Sequence, residues 1–410
     1  SPGELMSSRE RLRLVLVLGF LIALGPLTID MYLPALPTIT TELATTEAVI
    51  QLTLTGTLLG LGLGQLVIGP LSDALGRRVP LMIGTATHVL ASVVCLVAPN
   101  VAVLGAARLL QGLGAAAGAV IAMAVVRDLY TGRPAATLIS RLILVMGVAP
   151  VLAPALGGWV LSFTSWRGVF AALALYALVL IPVTARLLPE TLPVERRRSS
   201  GAGAILRTYG RLFRDRTFVG MALVAGLAMS GLFGYVAGAS FVYQQQFGLD
   251  RGQFALAFSS GAVWLIAATQ LNPVLLRRFE PRQVLLGASA AAMGAGLLLL
   301  ALAISGAGLF GVLLPLWASL FAAGLVLPNA PAVALARYGD AAGTAAALLG
   351  AVLLGVGAVV SPLVGVLGND AVAMGTVIAG GLTLSLLVLV TVVRPWRLTD
   401  LDAVAAPAPA

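Results

Sequence analysis

Long apolar segments separated by short polar ones repeat along the whole chain. Each of these segments is long enough to cross a hydrocarbon core of about 30 Å as an α-helix, whereas strands of a membrane barrel would show about ten alternating residues. We therefore predict an all-α membrane protein with twelve transmembrane helices. The predicted spans are 12–36, 48–71, 79–98, 101–125, 137–161, 169–188, 217–243, 253–276, 283–304, 309–335, 342–367 and 371–393.

The composition agrees with this prediction. Of the 410 residues, 59% are hydrophobic and 10% are charged, and the mean hydropathy is +1.02, values outside the range of soluble domains. The net charge is +9, and all 25 basic residues are arginine in short clusters between apolar segments, which is typical of cytoplasmic loops and not of a nucleic-acid surface. One cysteine, Cys95, and one histidine, His88, allow neither a disulfide framework nor a metal site.

The arginines predict the orientation. The loops on the N-terminal side and both termini carry almost all of them, and the opposite loops carry only Arg167 and Arg251. Because arginine is concentrated on the cytoplasmic side of membrane proteins, we expect a multi-pass protein of the cell (inner or plasma) membrane with both termini in the cytoplasm.

The longest polar stretch, 189–216, divides the predicted spans into six and six. We predict an N-terminal bundle at 12–188, a cytoplasmic linker with a surface helix near 205–213, and a C-terminal bundle at 217–393. The tail 1–11 is interpreted as a tag remnant followed by a cytoplasmic segment, and 394–410 as a disordered tail. Glycine and proline recur at identical offsets in the fifth and eleventh spans: Gly147, Pro154 and Gly157, then Gly355, Pro362 and Gly365. Two related six-helix halves with a central site are typical of transporters.

The first span contains an acidic residue, Asp30, near its outer end. A charged side chain at this depth costs roughly 2.5–3.5 kcal/mol on insertion scales, so it indicates a functional site. The intramembrane partner available is Arg108 in the fourth span, and at 1.5 Å per residue both lie roughly 10 Å below the outer boundary. We predict that the two groups meet and couple transport to protons, since a change in their separation changes the proton affinity of the carboxyl group. A salt bridge that only holds helices together is the alternative.

The substrate pocket is predicted from polar and aromatic side chains in mid-span, which can stack on a drug and form a hydrogen bond. Helix packing or contact with lipid is an equally open interpretation for each aromatic residue. The candidates are Asp30, Tyr32, Gln111, Tyr235, Trp264 and Trp317.

The loop after the second span reads Gly69-Pro70-Leu71-Ser72-Asp73-Ala74-Leu75-Gly76-Arg77-Arg78. It resembles the signature G-x-L-x-D-x-x-G-R-[RK] of the major facilitator superfamily, and the resemblance extends over essentially the whole chain. It implies two pseudo-symmetric six-helix bundles and a cytoplasmic charge latch. The latch residues would be Asp73, Arg77, Arg78 and Asp128, closing on the segment near Gly343. A purely topological role for these charges is the alternative.

Further motifs resemble narrower branches of this family. Arg108 followed by Gly112 resembles the R-x-x-x-G proton-coupling motif, and the fifth span resembles the hinge signature of drug:H⁺ antiporters through Gly147, Pro150, Pro154, Gly157 and Gly158. The stretches Asp30-Met31-Tyr32-Leu33-Pro34, Arg127-Asp128-Leu129-Tyr130 and Glu190-Thr191-Leu192-Pro193 resemble the Bcr/CflA branch, which confers bicyclomycin, chloramphenicol and florfenicol resistance. Where relatives carry a second acid in the first span, this chain has Ile22.

The resemblance implies a proton-coupled multidrug or antibiotic efflux transporter that works by alternating access, with phenicols or other small lipophilic drugs as the expected substrates. Its partners would be a small drug, protons and the lipid bilayer, without nucleic acid, and we expect a monomer that needs no cofactor beyond the proton gradient. The sequence contains no recognisable nucleophile–base pair, so we do not expect an enzyme. An exporter of an endogenous metabolite with the same fold, and a non-transporting receptor or scaffold, are the alternatives.

Overall fold

The computed structural model of the chain describes residues 2–130, 132–197, 201–335 and 342–398. Within these ranges the regular structure is entirely helical. The α-helices are α1 (Ser8–Asp30), α2 (Leu36–Glu42), α3 (Glu47–Leu75), α4 (Arg78–Val97), α5 (Val101–Leu129), α6 (Gly132–Leu161), α7 (Trp166–Leu187), α8 (Ala202–Arg214), α9 (Arg216–Ser240), α10 (Arg251–Leu275), α11 (Pro281–Ile304), α12 (Gly308–Leu335), α13 (Ala342–Val366) and α14 (Ala371–Val388). Short 3₁₀ turns lie at Pro2–Leu5, Leu33–Ala35, Val194–Arg196 and Pro395–Arg397, and π-helical segments at Phe241–Gln246 and Leu389–Val393.

The described residues include 11 helices that are long and apolar enough to cross a membrane. The helix α6 adds a further apolar stretch, Val148–Leu161, within its 30 residues. The predicted all-α membrane fold is therefore confirmed. The predicted surface helix of the linker is also confirmed, because α8 covers it from Ala202 to Arg214.

The first predicted span differs from the structure in its continuity. The helix α1 ends at Asp30, and the chain continues through the 3₁₀ turn Leu33–Ala35 into α2. Pro34 and Pro37 stand at the first turns of these two short helices. Proline has no backbone N–H and is well tolerated at such positions. The predicted span 12–36 lies within one membrane-crossing segment, Ser8–Glu42, but the helix is interrupted within it. The interruption leaves Asp30 at the end of a helix.

Polar side chains stabilise the first turns of many of these helices. A side-chain oxygen accepts a hydrogen bond from an otherwise unpaired backbone N–H at each of these N-termini. The residues that do so are Ser7, Thr46, Asn100, Ser165, Asp215 and Asp370, and Glu280 forms a capping box with Gln283.

The chain divides into two compact units. The first contains Ser1–Ser200 and Arg251–Ser259, and the second contains Gly201–Asp250 and Ser260–Ala410. In the first unit α5 packs against α1, α3 and α4, and α4 also packs against α7. In the second unit α9 packs against α12, α13 and α14. Each unit therefore has one central helix, and Arg108 lies on the central helix of the first.

Candidate functional site

The acidic residue Asp30 is buried at the C-terminal end of α1, with 5% of its surface exposed. Asp30 interacts electrostatically with the Arg108 guanidinium. No hydrogen bond joins the two among the described residues, and Arg108 donates to other acceptors. Both predicted residues are therefore buried in the first unit, and their direct pairing stays a prediction.

The Arg108 side chain is completely buried and is held at one end. Its Nη1 donates to the Thr28 carbonyl oxygen at 2.8 Å and to Gln111 Oε1 at 2.9 Å, while Cζ lies 4.1 Å from the centre of the Tyr32 ring. The other edge of the guanidinium, formed by Nε and Nη2, has no hydrogen-bond partner among the described residues. These two nitrogens form the fork that binds a carboxylate through both oxygens. The arrangement therefore fixes the arginine while leaving its carboxylate-binding edge unused.

The predicted binding residues Tyr32 and Gln111 both support this arginine. Both side chains are fully buried. The Tyr32 hydroxyl forms a hydrogen bond with Thr53, and its ring face contacts the Arg108 guanidinium. Gln111 accepts from Arg108 and donates from Nε2 to Ser92 Oγ at 2.9 Å. The polar atoms of Gln111 are thus engaged within the protein core.

Three further residues complete this network, and sequence reasoning did not connect them to Arg108. Thr28 Oγ1 lies 2.9 Å from His88 Nε2, and Ser92 Oγ lies 3.2 Å from His88 Nδ1. All three side chains are fully buried. The available signal was the presence of polar residues in apolar segments, in particular Thr28 two positions before Asp30.

The predicted aromatic binding residues of the second unit form two clusters. Tyr235 is buried, with its ring centre 6.4 Å from that of Tyr243. Trp264 and Trp317 have ring centres 6.1 Å apart, and Trp317 Nε1 donates to Ser260 Oγ at 2.9 Å. A cavity of about 670 Å³ in this unit is lined by other residues, including Leu227, Val352, Val356, Val360 and Leu384. A role of the three aromatic residues in substrate binding stays a prediction.

The predicted latch residues of the first unit form a compact ionic cluster. Arg77 binds Asp128 through Nε at 2.8 Å and Nη2 at 2.9 Å, and Nη1 donates to Asp73 at 2.7 Å and to Ser72 at 2.8 Å. Burial by itself lowers the pKa of Arg77, but its hydrogen bonds to Asp128 and then Asp73 outweigh burial and raise it. The arginine therefore stays charged and joins the α3–α4 loop to the end of α5.

The Glu190-Thr191 motif belongs to the same cluster, a contact that the sequence alone did not reveal. The Glu190 carboxylate accepts from the backbone N–H groups of Arg77 at 2.9 Å, Arg78 at 3.1 Å and Leu192 at 3.1 Å. Burial raises the pKa of Glu190, but these hydrogen bonds outweigh it and the net shift is downward. Thr191 donates to Asp128 at 2.6 Å. The first residues of the linker are therefore bound to the N-terminus of α4.

Glycine is required in the loop between α3 and α4. Gly76 has φ 89°, in the left-handed region, and a Cβ there would lie 2.8 Å from Glu190 Oε2. Arg78, the last residue of the predicted latch, donates instead to the Ala185 carbonyl oxygen near the end of α7 at 2.7 Å. The predicted latch acceptor near Gly343 follows residues 336–341, which lie outside the described residues.

The predicted hinge motif lies in α6, which contains Gly147, Pro150, Pro154, Gly157 and Gly158. A Cβ at Gly157 would lie 2.0 Å from the Met31 carbonyl oxygen, so α6 and the chain just after α1 are in backbone contact there. A Cβ at Gly158 would lie 3.9 Å from its nearest neighbour, the Arg251 carbonyl oxygen. The two adjacent glycines therefore differ: the first permits a close contact, and the second does not need to be glycine for packing.

Comparison with known proteins places these features in a family. The model of the Major Facilitator Superfamily matches residues 18–362. The chain is 39% identical to an uncharacterized MFS-type transporter, YdgK, of Bacillus subtilis, over 90% of this chain and 93% of that protein. It is 30% identical to a bicyclomycin resistance protein homolog of Haemophilus influenzae, over 88% and 90% of the two chains. It is 32% identical to a chloramphenicol resistance protein of Pseudomonas aeruginosa, over 83% and 81%.

A solved structure supports the same fold. A bacterial homolog of the human lysosomal transporter Spinster matches 99% of this chain and 100% of its own length with a TM-score of 0.70, at 18% identity. At that identity the likeness concerns the fold alone. The family model matches most of the chain, and the relatives include antibiotic resistance proteins. The chain therefore belongs to the Major Facilitator Superfamily, on the branch of the bicyclomycin and chloramphenicol resistance proteins, and is a membrane transporter and not an enzyme.

Proposed function

We propose that this transporter exports small, largely apolar drugs from the cytoplasm in exchange for protons. The observation that carries the proposal is a buried Asp30 in electrostatic interaction with a buried Arg108, whose Nε and Nη2 have no hydrogen-bond partner in the described part of the chain. Ionisable groups within membrane spans are expensive and mark ion pathways by default. Relatives whose names describe bicyclomycin and chloramphenicol resistance support drugs, with phenicols as the first substrates to test.

In the proposed cycle Asp30 carries the proton and Arg108 sets how readily the proton leaves. When the bundles rock, the distance between the carboxylate and the guanidinium changes, and the proton affinity of Asp30 changes with it. Drug release to the outside follows protonation, and deprotonation on the cytoplasmic side resets the carrier. The arginine distribution supports this orientation, with the latch cluster of Asp73, Arg77 and Asp128 on the cytoplasmic face.

One titrating acid sets the proposed stoichiometry at about one proton per cycle. Export of a neutral drug then moves one net charge and gains about 2.3 kcal/mol per 100 mV of membrane potential. A monocation exchanges without net charge movement, and a dication is a poor substrate. The cycle involves no cofactor, and one polypeptide contains all the residues it uses.

The experiment compares Asp30→Asn with the wild-type protein in proteoliposomes under an imposed pH gradient. Chloramphenicol, bicyclomycin and a rigid dication serve as substrates, and proton release on drug addition is measured in detergent. We expect Asp30→Asn to lose uphill export and proton release while retaining drug exchange without a gradient. The matched control Glu195→Gln removes an exposed acid of the linker and should behave as wild type. Uphill export at the wild-type rate by Asp30→Asn would end the proposal, and accumulation of an endogenous compound without drug transport would favour a metabolite exporter.

A further inference from the structure

The buried polar side chains around Arg108 form a closed ring of hydrogen bonds. Starting from α1, Thr28 Oγ1 contacts His88 Nε2 on α4 at 2.9 Å, and His88 Nδ1 lies 3.2 Å from Ser92 Oγ. Gln111 of α5 then donates to Ser92 Oγ at 2.9 Å and accepts from Arg108 Nη1 at 2.9 Å. Arg108 Nη1 closes the ring on the Thr28 carbonyl oxygen at 2.8 Å. Three helices are therefore joined through five fully buried residues.

A hydroxyl group faces each nitrogen of the imidazole, and each hydroxyl also has a backbone acceptor. The Thr28 hydroxyl lies 2.6 Å from the Leu24 carbonyl oxygen, and the Ser92 hydroxyl lies 2.7 Å from the His88 carbonyl oxygen. In either neutral tautomer one ring nitrogen donates to the hydroxyl that faces it, and the other ring nitrogen is an acceptor. The two ring nitrogens thus have different partners on opposite sides of the ring.

Both acceptors of Arg108 Nη1 are connected to the imidazole of His88. The first acceptor is the carbonyl group of Thr28, the residue whose side chain binds Nε2. The second is Gln111 Oε1, which is oriented because Gln111 Nε2 donates to Ser92, the residue that contacts Nδ1. A shift of the imidazole would move the two acceptors of the guanidinium together. Networks of this kind orient a charged group more strongly than single contacts do.

We infer that His88 is a positioning residue for Arg108: through its two nitrogens it holds both acceptors of Nη1, so that the Nε/Nη2 edge of the guanidinium stays oriented for the carboxylate chemistry of the site. The role rests on the proposed function, since it assigns to His88 the alignment of the proton-coupling arginine. His88 does not carry the transported proton in this scheme. Loss of its ring should therefore weaken the coupling between proton and drug movement and spare drug exchange.

The first test observes the imidazole of His88 directly by NMR and does not require transport. His88 is the single histidine of the sequence, so ¹⁵N-histidine labelling of a chain without added histidines gives one pair of imidazole nitrogen signals in lipid nanodiscs. We expect a single tautomer, with distinct shifts for the two nitrogens. Arg108→Leu should change both shifts, because Arg108 Nη1 donates to Thr28 and to Gln111, which connect it to the two sides of the imidazole. Averaged shifts from a ring that exchanges between tautomers, or shifts unaffected by Arg108→Leu, would overturn the inference.

The second test separates the two contacts of the His88 imidazole: the Thr28 arm, from Nε2 to Thr28, and the Ser92 arm, from Nδ1 to Ser92. The amide of glutamine places polar atoms near the position of Nε2, and that of asparagine near Nδ1, so His88→Gln keeps the Thr28 arm and His88→Asn keeps the Ser92 arm. His88→Leu removes both. Thr28→Val and Ser92→Ala cut the same arms from the partner side and replace His88→Leu if that variant does not fold.

The readout is the ratio of proton-driven export to gradient-free drug exchange. We expect His88→Leu to lower this ratio about tenfold, the effect of losing one hydrogen bond to a charged group, and the Gln and Asn variants to restore part of it. A packing defect would lower both activities and leave the ratio unchanged, which would overturn the inference. If the wild-type protein shows no proton-driven transport, the proposed function fails, and the ¹⁵N signals still decide whether His88 holds Arg108.

Discussion

The buried polar groups of the two units differ in charge. In the first unit the described core contains three charged side chains, Asp30, Arg77 and Arg108, together with His88. In the second unit the described buried polar side chains are serine and asparagine, among them Asn272 and Asn329, which are joined by a 2.7 Å hydrogen bond. Because charge is costly within a membrane and a neutral amide pair is less so, the comparison supports the proposal that the proton site belongs to the first unit.

The sequence repeat sharpens this contrast. The repeat predicts that Trp317, in α12, lies at nearly the depth that Arg108 has in α5. In the structure Arg108 has polar partners, whereas the Trp317 indole donates to Ser260. If the repeat holds, the two halves differ in chemistry at corresponding positions. The second unit supplies apolar and aromatic surface, which suits the recognition of lipophilic substrates.

The largest expected effect comes from exchanging one buried polar residue in each unit for leucine. Arg108→Leu leaves Gln111 and the Thr28 carbonyl without their donor and Asp30 without its neighbouring positive charge, so we expect proton-driven export to fall by about 100-fold or more, as for the loss of two hydrogen bonds to a charged group. Asn329→Leu removes the bond to Asn272 and should reduce export no more than about tenfold. Equal losses in proteoliposome export would contradict the division of roles between the units.

Much of this division was predictable from sequence. The acid in the first span, the arginine in the fourth and the latch motif stood out because charges in apolar segments are rare and the loop signature is specific. The sequence could not show that Arg108 and Asp30 are not hydrogen-bonded to each other, since helix rotation and the break after Asp30 decide that contact. The ring through Thr28, His88 and Ser92 also escaped, because isolated polar residues in a span do not reveal which helix they face.

A second comparison concerns two adjacent glycines of the hinge motif in the first unit. At Gly157 an added Cβ would collide with the Met31 backbone oxygen, whereas at Gly158 it would make only ordinary van der Waals contact with Arg251. Both changes to alanine gain the same helix propensity, so their difference isolates packing. We expect Gly157→Ala to be less stable than Gly158→Ala by about 1–3 kcal/mol, the usual cost of overpacking. The check is the unfolding midpoint of each variant, followed by tryptophan fluorescence, and equal midpoints would show that α6 does not pack closely on Met31.

The second unit offers a control for that interpretation. Gly355, which the repeat pairs with Gly147, has nothing within 4 Å of an added Cβ. Gly355→Ala should therefore be neutral or slightly stabilising in the same assay. Sequence alone gave the glycines of both halves the same weight, because a repeat records spacing and not the distance to a neighbouring helix. The close contact at Gly157 is a property of tertiary packing.

The smallest expected effect tests the loops that follow corresponding spans in the two units. In the first unit Glu190 binds the backbone N–H groups of Arg77 and Arg78, and its pKa is lowered. In the second unit the loop between α10 and α11 has only a local pair among its described ionic contacts, Arg282 with Glu280 at 2.5 Å. Glu190→Gln should therefore destabilise the protein at pH 7, by less than about 1 kcal/mol because the group is largely exposed and screened.

The pH dependence gives this prediction its sign. A carboxyl group whose pKa is lowered on folding stabilises the folded state above its unfolded pKa of about 4.3, and that contribution is lost as the pH falls through the lower folded value. The difference between wild type and Glu190→Gln should thus be full at pH 7, begin to fall near the unfolded pKa of about 4.3 and disappear only below the lower folded value, when measured as unfolding midpoints in detergent. Glu280→Gln is the matched control at a helix N-terminus of the second unit. If the Glu190 difference persisted unchanged into acid, a lost carboxylate charge would not be its cause, and the attachment of the linker to the α3–α4 loop would depend on shape and not on electrostatics.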